Sequence, residues 1–502
     1  MGLKGNFIPQ DVRKIHIIAA CGTGMGALAC MLKDMGFEVT GSDQNIYPPM
    51  SDFLAAKGIE LFKGFSPSNI IRETQTGAVS KSPLQIKPDL VVIGNAVTRN
   101  NPESVAVMEN NIPYCSMPQA LNHFFAKDKK ILLITGTHGK TTTSSILAHL
   151  LYKANLDPSF MIGGIVKGFG SNYRIGKGDY IVIEGDEYDT AFFDKGSKFL
   201  HYSPYAAIIT SIEFDHADIF RDIDQIKDAF KKLVSKIPKD SLLIASGTDS
   251  NIKDIIASAV CDVEYYGDNS SYDFSYTNLL MENGYTNFSI RDISKNISKR
   301  NNGIINNGAV HNIGITTPLM GRHNAMNILA VYGVAKRIGI SDEIILEAFR
   351  TFSGIKRRQE IRGVKKGITV MDDFAHHPSA VRETIAGVKP FFKEGRLIAV
   401  FEPRTNSSMR DIFQNDYPKS FDGADIVCIR KPSMLSKVVE NQRINTEKLV
   451  ADIAQRGIRA YYFEDTDSII EFLTKESKVK DLILIMSNGG FDNIHNRVLE
   501  ML

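Results

Sequence analysis

Cysteine is scarce in this chain, and what there is excludes a good deal. The five in 502 residues, Cys21, Cys30, Cys115, Cys261 and Cys428, are scattered, odd in number and without CxxC spacing. That excludes a disulfide framework or a cysteine zinc site and favours a reducing compartment. Excess charge of either sign is also lacking: 59 basic residues face 57 acidic ones, for a formal net charge of +2. No global field recommends nucleic acid or an anionic membrane, so neither is expected as a partner and anions must be recognised locally. The one membrane-length candidate, Ile15 to Leu32, carries His16 and three closely spaced glycines, and reads better as strand, loop and helix. Met1 to Lys14 lacks a basic segment followed by an apolar core and cleavage site, and Gly2 lacks the Ser or Thr of a myristoylation signal. A cytoplasmic protein is expected. No repeat of solenoid period is present.

What is present is the composition of a globular protein, 43% hydrophobic and 23% charged, at a length that suggests roughly three domains. In the first third, β-rich runs (Lys14 to Ala20, Glu38 to Gly41, Leu90 to Gly94) alternate with helical patterns such as Ala27 to Met35, as in a parallel α/β sheet. After a polar break at Lys127 to Lys130, Ile131 to Thr135 reads as a buried strand and Thr141 to Ala154 as the helix after it. Strands follow at Tyr180 to Ile183 and Ala206 to Thr210, with an amphipathic helix near Asp222 to Ser235. Tyr265 to Thr317, rich in Asn, Ser, Tyr and Gly, reads as small antiparallel strands and loops. Helical spacing returns at His323 to Ile338, and Ser341 looks like the cap of the next helix. A third unit opens near Lys356, with strands at Ile368 to Met371, Leu397 to Phe401, Ile426 to Ile429, Arg459 to Phe463 and Leu482 to Met486.

The strongest local signal is Ile134-Thr-Gly-Thr-His-Gly-Lys-Thr-Thr143. Between strand and helix, such a loop cradles phosphates on its N–H groups, with Lys140 to neutralise charge and the Thr141 hydroxyl for Mg²⁺. A full Walker pattern wants glycine where Ile134 stands, so this is a shortened variant; the bland alternative is an incidental glycine turn. Magnesium also needs carboxylate oxygen. Glu184 opens an acidic cluster after one strand, and Asp215 with His216 follows another. Gly22, Gly24 and Gly26, with Asp43 ending the next strand, have dinucleotide-fold spacing and suit NAD or any nucleotide diphosphate, or else mark only a tight turn. Asn324 and Asn327, at a helix start, read as caps or as contacts to a base or phosphate. Lys356-Arg-Arg358 can stabilise a transferring phosphoryl or be a solvated run. His376 and His377 raise zinc, but no third ligand stands at helical or loop spacing, so zinc is not expected there.

Taken together and in this order, GTHGKTTT, EGDEYD, EFDH, GRHNAMN, KRR and DDFAHHP resemble the Mur ligases of bacterial peptidoglycan, over nearly the whole chain. Gly41 to Pro49, Glu184 to Asp194, Glu402 to Asn406 and Met486 to Phe491 look most like the recycling branch. There the amine is a murein tripeptide, L-alanyl-γ-D-glutamyl-meso-diaminopimelate, rather than free L-alanine. The resemblance implies an α/β fold of three domains: a Rossmann-like unit at 1–126 for the UDP-sugar, a P-loop ATPase-type unit at 127–354, and a Rossmann-like unit at 355–502 for the amine. It implies ATP and Mg²⁺ as cofactors, and formation of a C–N bond through an acyl phosphate on the lactyl carboxylate of UDP-N-acetylmuramate.

By the same resemblance Lys140, His216 and Arg358 are catalytic. Gly136, Thr137, His138, Gly139, Lys140, Thr141, Thr142, Asn324, Arg358 and Asp373 hold ATP, with Asn324 at the adenine and Asp373 at the ribose. Thr141, Glu184 and His216 hold the metal. Gly22, Gly24, Gly26, Ser42 and Asp43 take the UDP portion, while Arg404, Asn406, Ser487 and Asn488 take the peptide. Ser211 departs from the Asn usual in relatives, and the third unit is expected to hinge near Gly354 to Lys356. The rival readings are the L-alanine-adding sister enzyme, an NAD-dependent dehydrogenase, which leaves the second loop without purpose, and a catalytically silent nucleotide-binding regulator.

Overall fold

The computed structural model describes residues 5–46, 48, 50–74, 84–294 and 310–502. Tyr47 and Pro49 of the Gly41 to Pro49 segment, and 295–309 of the Asn- and Ser-rich stretch, lie outside the described residues. Three sheets carry the architecture. The first is parallel throughout, in the spatial order Glu60–Lys63, Glu38–Asp43, Lys14–Ile18, Leu90–Ile93, Tyr114–Ser116. This is the order of a mononucleotide-binding half, with the crevice at the carboxyl ends of its strands.

The central sheet has ten strands. At its heart Lys130–Thr135 lies between Tyr180–Gly185 and Pro204–Ile209, parallel to both. The middle strands are buried on both faces, which explains their unbroken apolar runs. Ser159–Val166 and the antiparallel Ser171–Arg174 complete one edge. These two were not expected as strands, because Gly163 and Gly164 interrupt the β-rich pattern. At the other edge the Asn-rich region forms Phe274–Glu282, Tyr285–Asp292 and His311–Thr317, antiparallel as expected but seven to nine residues long and continuous with the main sheet. Alternate burial along Tyr285–Asp292 makes it a one-sided cover.

The third sheet orders its strands Glu360–Lys365, Ile368–Asp373, Leu482–Met486, Leu397–Phe401, Ile426–Arg430, Arg459–Phe463, all parallel but the first. Ser341 stands at the cap of Asp342–Thr351 but its side chain makes no capping bond; Asp342 and Glu343 complement the helix dipole instead.

The units are joined by packing as well as by chain. One apolar cluster runs from Ile17, Leu28 and Met31 of the first sheet and its helix through to Leu133, Ile183 and Phe230 of the central one. The helix Thr23–Asp34, which opens at the first glycine loop, is tied to the central edge hairpin: Asn172 Nδ2 donates to Thr23 O at 3.1 Å and Tyr173 OH to Asp34 Oδ2 at 3.0 Å. Between the central and third units, Lys356 N donates to Ile165 O and Lys167 N to Gly354 O, so the connecting segment is bridged onto Ser159–Val166. Its turns fall at Gly354, Arg357 and Gln359, all at positive φ.

Candidate active site

The phosphate loop sits where the buried strand Lys130–Thr135 ends and the helix Lys140–Lys153 begins. Gly136 and Gly139 are at φ +124° and +80°, a region that L side chains avoid. A Cβ on Gly139 would also lie 2.7 Å from Asn327 Oδ1. The helix has no side-chain cap, so its first-turn N–H groups face outward as anion donors.

Ser211 buttresses the loop: its carbonyl accepts from Thr137 N at 2.8 Å and its hydroxyl from His138 N at 3.0 Å. The departure from Asn thus supports the loop from behind. Thr137 is likewise committed, its hydroxyl accepting from Glu213 N at 2.9 Å, and Thr142 is half-buried in the first helical turn.

Lys140 donates to Gly136 O at 2.6 Å and to Glu187 Oε2 at 3.0 Å. Burial alone would lower its pKa, but Glu187 and Asp186 more than offset this, so the ammonium is held above its ordinary value. Thr141 Oγ1 meets Glu184 Oε2 at 3.1 Å, and Glu184 Oε1 accepts the Gly163 amide at 2.6 Å. Burial, helped by the neighbouring Asp186, nevertheless raises the Glu184 carboxyl against the pull of Gly163, Lys140 and Arg358. His216, a non-glycine residue at φ +53°, turns Nε2 to within 3.7 Å of Glu187 Oε1. Asp186 pairs with Lys198 at 3.0 Å and, against burial, stays near pKa 2. Among these, Asp186, Glu187, Lys198, Gly163 and Ser211 are additions to the expected set. The acidic cluster advertised carboxylates, but not which one would face the lysine.

Arg358 is half-buried, with its guanidinium 4.3 Å from the Phe374 ring centre. Burial lowers its pKa, while Asp373 and Glu184 pull it back, so it stands between the phosphate loop and the third sheet. Asn324 and Asp373 are more committed than expected. The Asn324 amide donates to Met320 O and Gln359 Oε1 and accepts from Asn327 Nδ2. Asp373 accepts from Gln359 N and Ala375 N, both at 2.8 Å. A nucleotide reaching either side chain would share or displace these bonds.

In the first unit, Gly22 caps the helix at an ordinary extended φ of −68°, and Gly24 has room for a Cβ. Gly26 does not: a Cβ there would lie 2.4 Å from Met50 Cε and 3.2 Å from Ala20 O. Ser42 is fully buried and donates to Glu103 Oε2 at 2.5 Å, so its hydroxyl faces inward, away from any ligand. Asp43 braces the glycine loop by accepting from Cys21 N and Asn45 N, each at 2.9 Å.

In the third unit Glu402 is fully buried and accepts from Arg430 Nη1 and Ser487 Oγ, both at 2.7 Å, which occupies Ser487. Arg404 lies farther off, 3.7 Å from Glu402, covering Gly489. Asn406 is spent on Asp218 across the interface at 2.9 Å, whereas the buried Asn488 Oδ1 has no hydrogen-bond partner among the described residues. Arg404 and Asn488 therefore retain capacity that Ser487 and Asn406 do not.

Comparison with known proteins places this geometry. Residues 14–129 match the description "Mur ligase family, catalytic domain", 134–335 "Mur ligase middle domain" and 357–489 "Mur ligase, glutamate ligase domain". A UDP-N-acetylmuramate–L-alanyl-γ-D-glutamyl-meso-2,6-diaminoheptandioate ligase of Escherichia coli K12 is 37% identical, over 97% of this chain and 98% of its own. A UDP-N-acetylmuramate–L-alanine ligase of Clostridium botulinum is 32% identical, over 96% and 97%. The crystal structure of a murein peptide ligase from Psychrobacter arcticus superposes with a TM-score of 0.70 at 31% identity, covering 97% and 98% of the two chains.

Proposed function

The chain belongs to the Mur ligase family, three-domain α/β enzymes that form amide bonds at the expense of ATP, and from that premise we propose that it joins L-alanyl-γ-D-glutamyl-meso-diaminopimelate to UDP-N-acetylmuramate. The observation that carries this reading is Lys140 held by Glu187 beside Glu184, in a phosphate loop whose His138 packs on His377 of the third unit. A carboxylate is a poor acyl donor until its oxygen becomes a leaving group. ATP supplies that by passing its terminal phosphoryl to the lactyl carboxylate and leaving as ADP, after which the neutral alanyl amine attacks the acyl carbon, phosphate departs and the nitrogen gives up a proton. Lys140 and Arg358 spread the charge of the transferring phosphoryl.

The donors fit a hard divalent cation, since a threonine hydroxyl and a carboxylate oxygen converge at 3.1 Å. We assign Thr141, Glu184 and His216 to Mg²⁺, which when bound neutralises phosphate oxygens. Gly136, Thr137, His138, Gly139 and Thr142 line the phosphates through backbone and first-turn donors. Asn324 takes the adenine and Asp373 the ribose, sharing or displacing their internal bonds. Gly22, Gly24 and Gly26 hold the UDP portion with Asp43 as brace; Arg404 and Asn488 face the tripeptide.

The units are taken as 1–126, 127–354 and 355–502. No helix among the described residues is long and apolar enough to cross a membrane, and a cytoplasmic role in peptidoglycan recycling follows from the substrates. The decisive measurement is phosphate release with UDP-N-acetylmuramate and ATP, tripeptide against L-alanine. Faster turnover with L-alanine would replace this reading by that of the sister enzyme, and no turnover with either would leave a nucleotide-binding regulator.

A further inference from the structure

Around His376 and His377 the sequence offers no third metal donor, yet the fold brings two from the central unit. His138 of the phosphate loop, Glu213 of the loop after Pro204–Ile209, and His377 ahead of Pro378–Val388 each contribute a donor atom, all within 4.8 Å of one another. Glu213 Oε2 is the centre, 3.5 Å from His138 Nε2 and 3.5 Å from His377 Nδ1.

The hydrogens decide what this arrangement means. His377 Nε2 is 3.2 Å from Phe214 O, which can only accept, so Nε2 carries the hydrogen. His377 Nδ1 accepts the Ser379 amide at 3.3 Å, so it carries no hydrogen, and its one lone pair reaches an ion by giving up that long capping bond. His138 Nε2 is buried and has no hydrogen-bond partner among the described residues. Three atoms of metal-ligand type thus converge within 4.8 Å of one another.

We propose that His138, Glu213 and His377 form a site for one zinc-class dication, separate from the magnesium site, that clamps the phosphate loop to the third unit. Two imidazoles and a carboxylate suit zinc far better than magnesium. The two 3.5 Å edges approach the edges of about 3.4 Å that a tetrahedron with bonds of about 2.1 Å requires. Phe214 O fixes the His377 tautomer, as a carbonyl behind a ligating imidazole does. Ser379, whose hydroxyl donates to Glu213 at 2.5 Å, preassembles the ligands without the ion.

The test is a Co²⁺ titration of the chelator-stripped full-length protein in excess Mg²⁺, followed by displacement with Zn²⁺. One equivalent should give the visible bands of tetrahedral Co²⁺, and Zn²⁺ should abolish them and raise the melting temperature. His377→Asn and Glu213→Gln should each weaken Zn²⁺ binding by about ten- to a hundredfold. His377→Cys should keep the ion and add a sulfur charge-transfer band, which guards against misreading an unfolded variant. Glu184→Gln should leave the Co²⁺ spectrum unchanged. Absence of tetrahedral bands, binding that survives His377→Asn, or binding lost in Glu184→Gln would overturn the proposal.

Discussion

Two glycine loops in this molecule follow a buried strand and open a helix, and they are built for different work. The first, Gly22 to Gly26, contains no cation; its helix lacks a side-chain cap, its one close approach is at Gly26, and its nearby carboxylate, Asp43, is spent bracing the loop. The second, Gly136 to Thr142, takes two glycines at positive φ and surrounds Lys140 with Glu184, Asp186 and Glu187. A helix end alone suffices to hold a diphosphate that does not react. Moving a phosphoryl group requires charges of both signs, positioned before the substrate arrives. A single hairpin links the two, since Gly163 binds Glu184 on one side while Asn172 reaches Thr23 on the other.

The contrast is tested hardest by Lys140→Ala. Loss of one charged donor to a transferring group costs about 10²- to 10³-fold in kcat, so phosphate release should fall at least that far while the melting temperature holds. A folded variant with wild-type rates would reduce the second loop to a binding element like the first. Glu184→Gln comes next: with an amide in place of the carboxylate, half-saturating Mg²⁺ should rise by about ten- to a hundredfold. An unchanged Mg²⁺ titration would move the metal elsewhere.

The peptide end offers a smaller effect. Arg404 keeps its guanidinium 3.7 Å from Glu402, which is already satisfied by Arg430 and Ser487. Arg404→Ala should raise the tripeptide KM by about tenfold or more through the loss of roughly 1.5 to 3 kcal/mol of charge-assisted bonding. Steady-state kinetics with each substrate varied in turn would show ATP's KM unmoved; a defect confined to ATP would remove Arg404 from the peptide site.

Both loops, with their strands and helices, are legible from local pattern, because phosphate binding needs glycine, cation and hydroxyl within one turn of chain. So are five strands of the third sheet; its antiparallel edge Glu360–Lys365, charged and without an apolar run, is not. What was not legible depends on distant chain. The hairpin is glycine-broken in Ser159–Val166 and polar in Ser171–Arg174, yet it supplies the Gly163 amide that fixes Glu184. Ser42 looks like a ligand residue at a strand end until Glu103, from a later helix, is seen to take its hydroxyl. Asn324 and Asp373 carry the family pattern, but only the fold shows their hydrogen bonds already engaged. The convergence of His138, Glu213 and His377 requires two units to meet, and no spacing rule reports that.

The finest test sets the two loops against each other through their glycines. At Gly139 a side chain meets φ +80° and the Asn327 amide oxygen at 2.7 Å; Ala there carries roughly 1 to 2 kcal/mol of left-handed strain and should distort the phosphate donors. At Gly26 the nearest atom, Met50 Cε, is the free end of a flexible side chain, and Ala20 O at 3.2 Å need yield only slightly. Ala also favours a helix interior over glycine by roughly 0.5 to 1 kcal/mol, so Gly26→Ala should melt close to wild type. Its cost falls on binding, because the third glycine of such a loop sets how closely helix and strand pack behind the diphosphate. A loss of about 0.6 kcal/mol, or about threefold in the UDP-N-acetylmuramate KM, is expected with ATP's KM unchanged. Gly139→Ala should show the reverse selectivity and the larger loss. If Gly26→Ala instead raised the KM for ATP alone, the first loop could not be the sugar-nucleotide site, and the division of labour between the loops would have to be redrawn.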